Sequence, residues 1–123
     1  MAERIMIVDD DKAYALLIQH KVQNGGYESE IVHHGSDVLR LAMEGYCDLI
    51  LLDHKMPDVL GSRVCDNLRS EPKLKDMPVI FMSAQELEYS VISNRLAEIG
   101  CCEFIAKFCT FEDLLAKVRE RIG

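Results

Sequence analysis

Three carboxylates, a hydroxyl and an amine have the strongest claim to chemistry in this 123-residue sequence. Asp9 and Asp10 close the stretch "RIMIVDD", Asp53 closes "DLILLD", Ser83 closes "MPVIFMS", and Lys107 follows "CEFIA". Each apolar stretch stops abruptly at a polar residue. Brought close together, ionised Asp9, Asp10 and Asp53 would repel one another. A hard divalent cation with oxygen ligands relieves that repulsion, and Mg2+ typically takes one or two carboxylates and keeps several waters. With the metal in place a carboxylate can serve as nucleophile, and aspartyl-phosphate formation is a known use of that chemistry. Phosphoryl transfer needs charge neutralised around the moving oxygens, which the cation, the Lys107 ammonium and the Ser83 hydroxyl are suited to supply.

These groups lie far apart in sequence, so a fold must gather them. Strand-like and helix-like segments alternate along the chain. Strands are expected at 4–8, 27–32, 48–53, 77–83 and 102–106; helices are expected at 11–24, 36–44, 61–70, 87–99 and 111–122. "NGG" at 24–26, Gly45 and Gly100 read as helix stops. Thr110, with Asp113 three residues on, reads as a capping box for the last helix, and Asp11 reads as an N-cap for the first. Continuous apolar strands, each followed by a helix, imply a parallel sheet covered on both faces. Right-handed crossovers narrow this to a doubly wound α/β sheet of five strands in three layers. All strand C-termini then share one rim, where open α/β sheets bind their ligands.

Composition bounds the rest. The chain fits a single domain spanning 1–123, with no repeat, linker or output domain expected. At 49% hydrophobic and 28% charged it is an ordinary globular composition rather than a disordered one. A net charge of −7 without a basic cluster argues against nucleic-acid binding. No apolar run approaches membrane-spanning length, and "MAERIMIVDDD" is not a signal peptide, which favours the cytoplasm. The five cysteines are odd in number and lack a C-x-x-C pair, so reduced thiols are expected.

Four motifs, "IVDDD", "DLILLDHKMPDVLG", "VIFMSA" and "EFIAKF", stand in the order and at the spacing of the receiver domain of two-component response regulators, which the whole chain resembles. The resemblance implies a flavodoxin-like sheet of order 2-1-3-4-5. It implies Asp53 as phosphoacceptor for a phosphohistidine on a sensor histidine kinase or phosphotransfer protein. Asp9, Asp10, Asp53 and the backbone carbonyl of Lys55 would bind Mg2+. Ser83 would bond a phosphoryl oxygen, Lys107 would pair with the phosphoryl group, and Phe104 would be the aromatic rotamer switch. Phosphorylation would change the surface formed by the 87–99 helix, the last strand and the last helix for a downstream protein partner or output domain. Such a chain is not an enzyme beyond its own phosphoryl transfer and dephosphorylation.

Two positions depart from the family pattern. Phe108 replaces the usual proline after the lysine. A cis bond before a residue other than proline costs about 2.5–4 kcal/mol, so Lys107–Phe108 is expected to be trans. The resemblance implies that the side chain two residues after the phosphoacceptor borders the site, where the Lys55 ammonium would tune it by competing with Mg2+; the alternative is a solvated lysine. His54 reads as surface-exposed. The alternative function is a pseudo-receiver, an adaptor that works without phosphorylation. A flavin carrier is disfavoured because "DDD" would repel phosphate, and an aspartate-nucleophile phosphatase because Lys55 stands where a second acid is expected.

Overall fold

The β-rich runs settle the architecture. Leu49–Asp53 (β3) is buried at all five positions, as a strand covered on both faces must be. It lies at the centre of a five-stranded parallel sheet with β1 (Arg4–Val8), β2 (Glu28–Val32), β4 (Val79–Ser83) and β5 (Glu103–Ala106), in the order β2-β1-β3-β4-β5. The computed structural model describes residues 3–45, 47–54, 56–83, 103–107 and 110–122, with backbone alone at Ser83, Glu103, Phe104 and Ala106. The helices are α1 (Lys12–Asn24), α2 (Val38–Met43), α3 (Gly61–Ser70) and α4 (Phe111–Ile122). The helix expected at 87–99 lies outside the described residues.

Side chains alternate across a strand, and here the alternation divides two cores. Ile5, Ile7, Leu49, Leu51, Ile80, Met82 and Ile105 face Ala15, Ile18 and Val22 of α1 and Leu114 and Val118 of α4. Met6, Val8, Ile50, Leu52, Val79 and Phe81 face Val38 and Ala42 of α2 and Val64, Cys65 and Leu68 of α3. The three expected layers are thus present, with the parallel register running Ile5↔Leu49, Leu51↔Ile80 and Met82↔Ile105.

The helix ends follow the sequence signals. The Asp11 carboxylate accepts the Tyr14 N–H at 3.1 Å, capping α1. The Thr110 hydroxyl accepts the Asp113 N–H at 3.1 Å, capping α4. Gly26, at φ 96°, takes the left-handed turn that releases the chain from α1 into β2.

Two local expectations change. The helix expected at 36–44 opens instead as a 3-10 turn, Gly35–Asp37, before α2 begins. The Asp58 carboxylate accepts N–H groups from both Gly35 and Ser36, at 3.3 and 3.0 Å, and holds that turn tight. The cysteines differ as well. Cys47 is a buried free thiol, raised to about 11 by burial and then by the charges of Glu30 and Asp48. Cys65 is disulfide-bonded rather than reduced.

Candidate functional site

Strand parity selects the site. Following the alternation to the end of β3, and one step past β1 and β5, puts Asp9, Asp53 and Lys107 in the series Ile5–Ile7–Asp9, Leu49–Leu51–Asp53 and Ile105–Lys107. All three fall on the face covered by α1 and α4. They meet at the C-terminal rim. The Lys107 ammonium lies 2.8 Å from Asp9 Oδ2 and 3.4 Å from Asp53 Oδ1. Asp9 is 3% and Asp53 6% exposed, so both acids are held largely out of water.

Asp9 is fixed from every side. Its N–H donates to the Val32 carbonyl at 3.1 Å, extending the β1–β2 ladder by one rung. Its Oδ1 accepts the Asp11 N–H at 2.9 Å, and its backbone carbonyl meets His33 Nδ1 at 3.0 Å. Asp10 is exposed, yet its carboxylate belongs to the same group: one oxygen from each of Asp9, Asp10 and Asp53 lies within 4.8 Å of the others. Asp53 is set by its strand and by α3. The Gly61 N–H donates to the His54 carbonyl at 2.7 Å, drawing the helix start against the end of β3. A Cβ at Gly61 would come within 2.6 Å of the Asp53 carbonyl oxygen and 2.9 Å of His54 Cα, so only glycine fits there.

The electrostatics follow. Burial pushes the Asp53 carboxyl up to about 7, and the neighbouring Asp9 charge adds to it, while Lys107 pulls the other way. Burial works to lower the Lys107 pKa, but the hydrogen bond to Asp9 and the charges of Asp53 and Asp9 outweigh it, and the net direction is up. One ammonium therefore faces three carboxylates and leaves them incompletely neutralised. Oxygen-only donors, two of them buried, with a surplus of negative charge, suit a hard divalent cation.

Asp9, Asp10, Asp53 and Lys107 thus converge as the sequence suggests. Ser83 and Phe104 lie on β4 and β5 with their backbones paired to Ala106 and Phe81; their side chains are not described. Lys55 and Phe108, and with them the trans bond expected after Lys107, fall outside the described residues. His54 is buried, only 7% exposed: its N–H donates to the Met82 carbonyl at 3.2 Å, and its ring centroid lies 6.3 Å from that of Phe81. Two further contacts escaped sequence reading, His33 on the Asp9 carbonyl and Tyr14 on Lys107. The Tyr14 hydroxyl donates to the Lys107 carbonyl at 2.7 Å, and the Lys107 ammonium sits 4.8 Å from the centre of the Tyr14 ring. A signal for Tyr14 was present: it stands one turn before Ile18 and two before Val22, on the buried side of α1 at its rim end.

The response regulator receiver domain model matches residues 5–119. A receiver domain of a signal transduction histidine kinase from Syntrophus aciditrophicus is 30% identical, with a TM-score of 0.87 over 98% of this chain and 90% of that one. A CheY-like receiver domain protein from Methanospirillum hungatei is 29% identical, with a TM-score of 0.85 over 98% and 93%. The response regulator TrrA from Thermotoga maritima, solved in complex with Mg(2+)-BeF, is 28% identical, with a TM-score of 0.85 over 98% and 99%.

Proposed function

Because this chain belongs to the response regulator receiver domain family, we propose that Asp53 accepts a phosphoryl group from a phosphohistidine on a sensor histidine kinase or phosphotransfer protein. The observation that carries this reading is the Lys107 ammonium set between the Asp9 and Asp53 carboxylates, with Asp10 as the third acid.

In the transfer, an Asp53 carboxylate oxygen forms a bond to phosphorus as the P–N bond to the donor imidazole breaks. The imidazole leaves with the electron pair and takes up a proton. Asp9, Asp10, Asp53 and the Lys55 carbonyl would hold Mg2+, and TrrA in its Mg(2+)-BeF complex lends support to that choice of metal. Bound there, Mg2+ supplies charge neutralisation for the phosphoryl oxygens. Lys107 pairs with the phosphoryl group, Ser83 bonds one of its oxygens, and Phe104 turns in response. The surface of the 87–99 segment, β5 and α4 then changes for a downstream protein, as a shift between two pre-existing states. The chain works in the cytoplasm and turns over no substrate besides its own phosphoryl group. Among the described residues no helix is long and apolar enough to cross a membrane.

A phosphorylation-independent adaptor is the second reading. The observation on its side is that Lys107 sits closer to Asp9 than to Asp53. Intact-protein mass after incubation with Mg2+ and acetyl phosphate separates the two. Gain of one phosphoryl group by the wild type and none by Asp53→Asn supports transfer. A folded, Mg2+-binding protein that gains nothing from acetyl phosphate or from histidine kinases supports the adaptor.

A further inference from the structure

We propose that Tyr14 is a positioning residue for Lys107, so that the first turn of α1 sets where the phosphoryl-pairing ammonium stands. The inference rests on the phosphoryl-transfer reading and deepens it.

Lys107 follows the last residue of β5, where the sheet no longer constrains the chain. A four-carbon side chain there has many rotamers, and its usefulness depends on how few of them it visits. Tyr14 grips it at both ends. The phenol donates to the Lys107 backbone carbonyl at 2.7 Å, which fixes the turn. The ring presents its face to the ammonium 4.8 Å away, within the range of a cation–π contact. Between these two anchors the methylene stem has little freedom left. Tyr14 itself is placed by the Asp11 cap, which receives its N–H, and by packing against the α1–α4 core. Asp11 in turn donates its own N–H to Asp9 Oδ1. One continuous chain of contacts, Asp9–Asp11–Tyr14–Lys107–Asp9, therefore closes on itself around the site. The ring directs Lys107 without touching the reacting atoms.

The test compares wild type, Tyr14→Phe, Tyr14→Leu, Lys107→Ala and the Tyr14→Leu/Lys107→Ala double variant. Phosphorylation by acetyl phosphate with Mg2+ is followed by intact mass over a range of donor concentrations. Tyr14→Phe keeps the ring and loses the hydroxyl, and should lower the plateau rate about twofold. Tyr14→Leu loses both anchors and should lower it about tenfold. The donor concentration giving half the plateau rate should stay put. In the Lys107→Ala background the Tyr14→Leu change should have no further effect. An unchanged rate in Tyr14→Leu overturns the proposal, and so does an equal loss with Lys107 absent, which would mark Tyr14 as merely structural. A second readout does not depend on phosphorylation. A proton-NMR signal of the Lys107 ε-methylene should be displaced upfield by the Tyr14 ring and return to the ordinary position in Tyr14→Leu. If the wild type takes up no phosphoryl group, the transfer reading fails alone, and this signal still decides: a displaced resonance supports the positioning role, an ordinary one overturns it.

Discussion

Replacing Asp53 with Asn should stabilise the metal-free protein. The carboxyl titrates near 3.8 in an open chain and near 7 in the folded protein, where burial and Asp9 disfavour its charge. As pH rises from 3.8 to 7, the unfolded chain has released this proton while the folded one retains it. Folding is therefore penalised progressively across that window, and by a constant amount above it. At about 1.4 kcal/mol per pH unit the ceiling is on the order of 4 kcal/mol. Two features reduce it. The exposed Asp10 side of the site admits water, and Lys107 loses its 3.4 Å neighbour in the variant while keeping Asp9 at 2.8 Å. About 2 kcal/mol should remain at pH 8, a rise of roughly 6 °C in unfolding midpoint for a chain of this size. Thermal unfolding followed by circular dichroism in EDTA, from pH 4.5 to 8.5, measures it. The advantage of Asp53→Asn should be smallest at pH 4.5, grow to pH 7 and then level off. Added Mg2+ should narrow the gap by stabilising the wild type more. Equal midpoints at pH 8, or the same offset at both ends of the range, would refute the reasoning.

Three further outcomes follow from the contacts around the site. Gly61→Ala forces a methyl against the Asp53 carbonyl and His54 Cα, both backbone, and should cost about 2–3 kcal/mol in urea unfolding while slowing phosphorylation. Asp58→Ala removes the acceptor for the Gly35 and Ser36 N–H groups and, at an exposed position, should cost about 0.5–1 kcal/mol. Those hydrogen bonds, the Ser36 N–H first, hold the Asp58 pKa below the ordinary value. The cost should thus be present at neutral pH and fade as pH drops through the carboxylate range, which unfolding at pH 7 and pH 3 compares. Thr110→Ala deletes the α4 cap and should cost about 1 kcal/mol, read as a lower urea midpoint with an unchanged slope.

The strands were legible because each apolar run stops at a polar residue, and a parallel sheet lines those stops along one rim. Bounds drifted by one or two residues where the signal was weak. Pro78 lacks an N–H, so β4 starts at Val79, although the Pro78 carbonyl still accepts the Ile50 N–H at 3.0 Å. Asp9, Asp10, Asp53 and Lys107 were legible because three separate strand ends, those of β1, β3 and β5, spoke for them together. A single histidine just past a strand end, His33, carries no pattern of its own, and the helical spacing of Tyr14 with Ile18 and Val22 shows which side of α1 it is on without showing that it meets Lys107. His54 was misread for a related reason: a charge-capable ring after an acid looks solvent-facing, but Gly61 brings α3 down upon it. The Asp58 tie to the 3-10 turn joins segments more than twenty residues apart in the chain, which no local spacing displays.

The alternation that places Asp9, Asp53 and Lys107 also governs how the chain can change length. A residue added within β3 upstream of Asp53 would swing the carboxylate to the α2–α3 face and bring an apolar side chain to the rim, at once costing the site and opposing two cores. The same holds for β1 and β5. Insertions and deletions are compatible with this site only before the strands begin or well beyond the rim residues. Sequence length should therefore vary at the N-terminal end of the sheet, in segments such as the one between α3 and β4, while each strand and the acid or amine that ends it behave as one inherited unit.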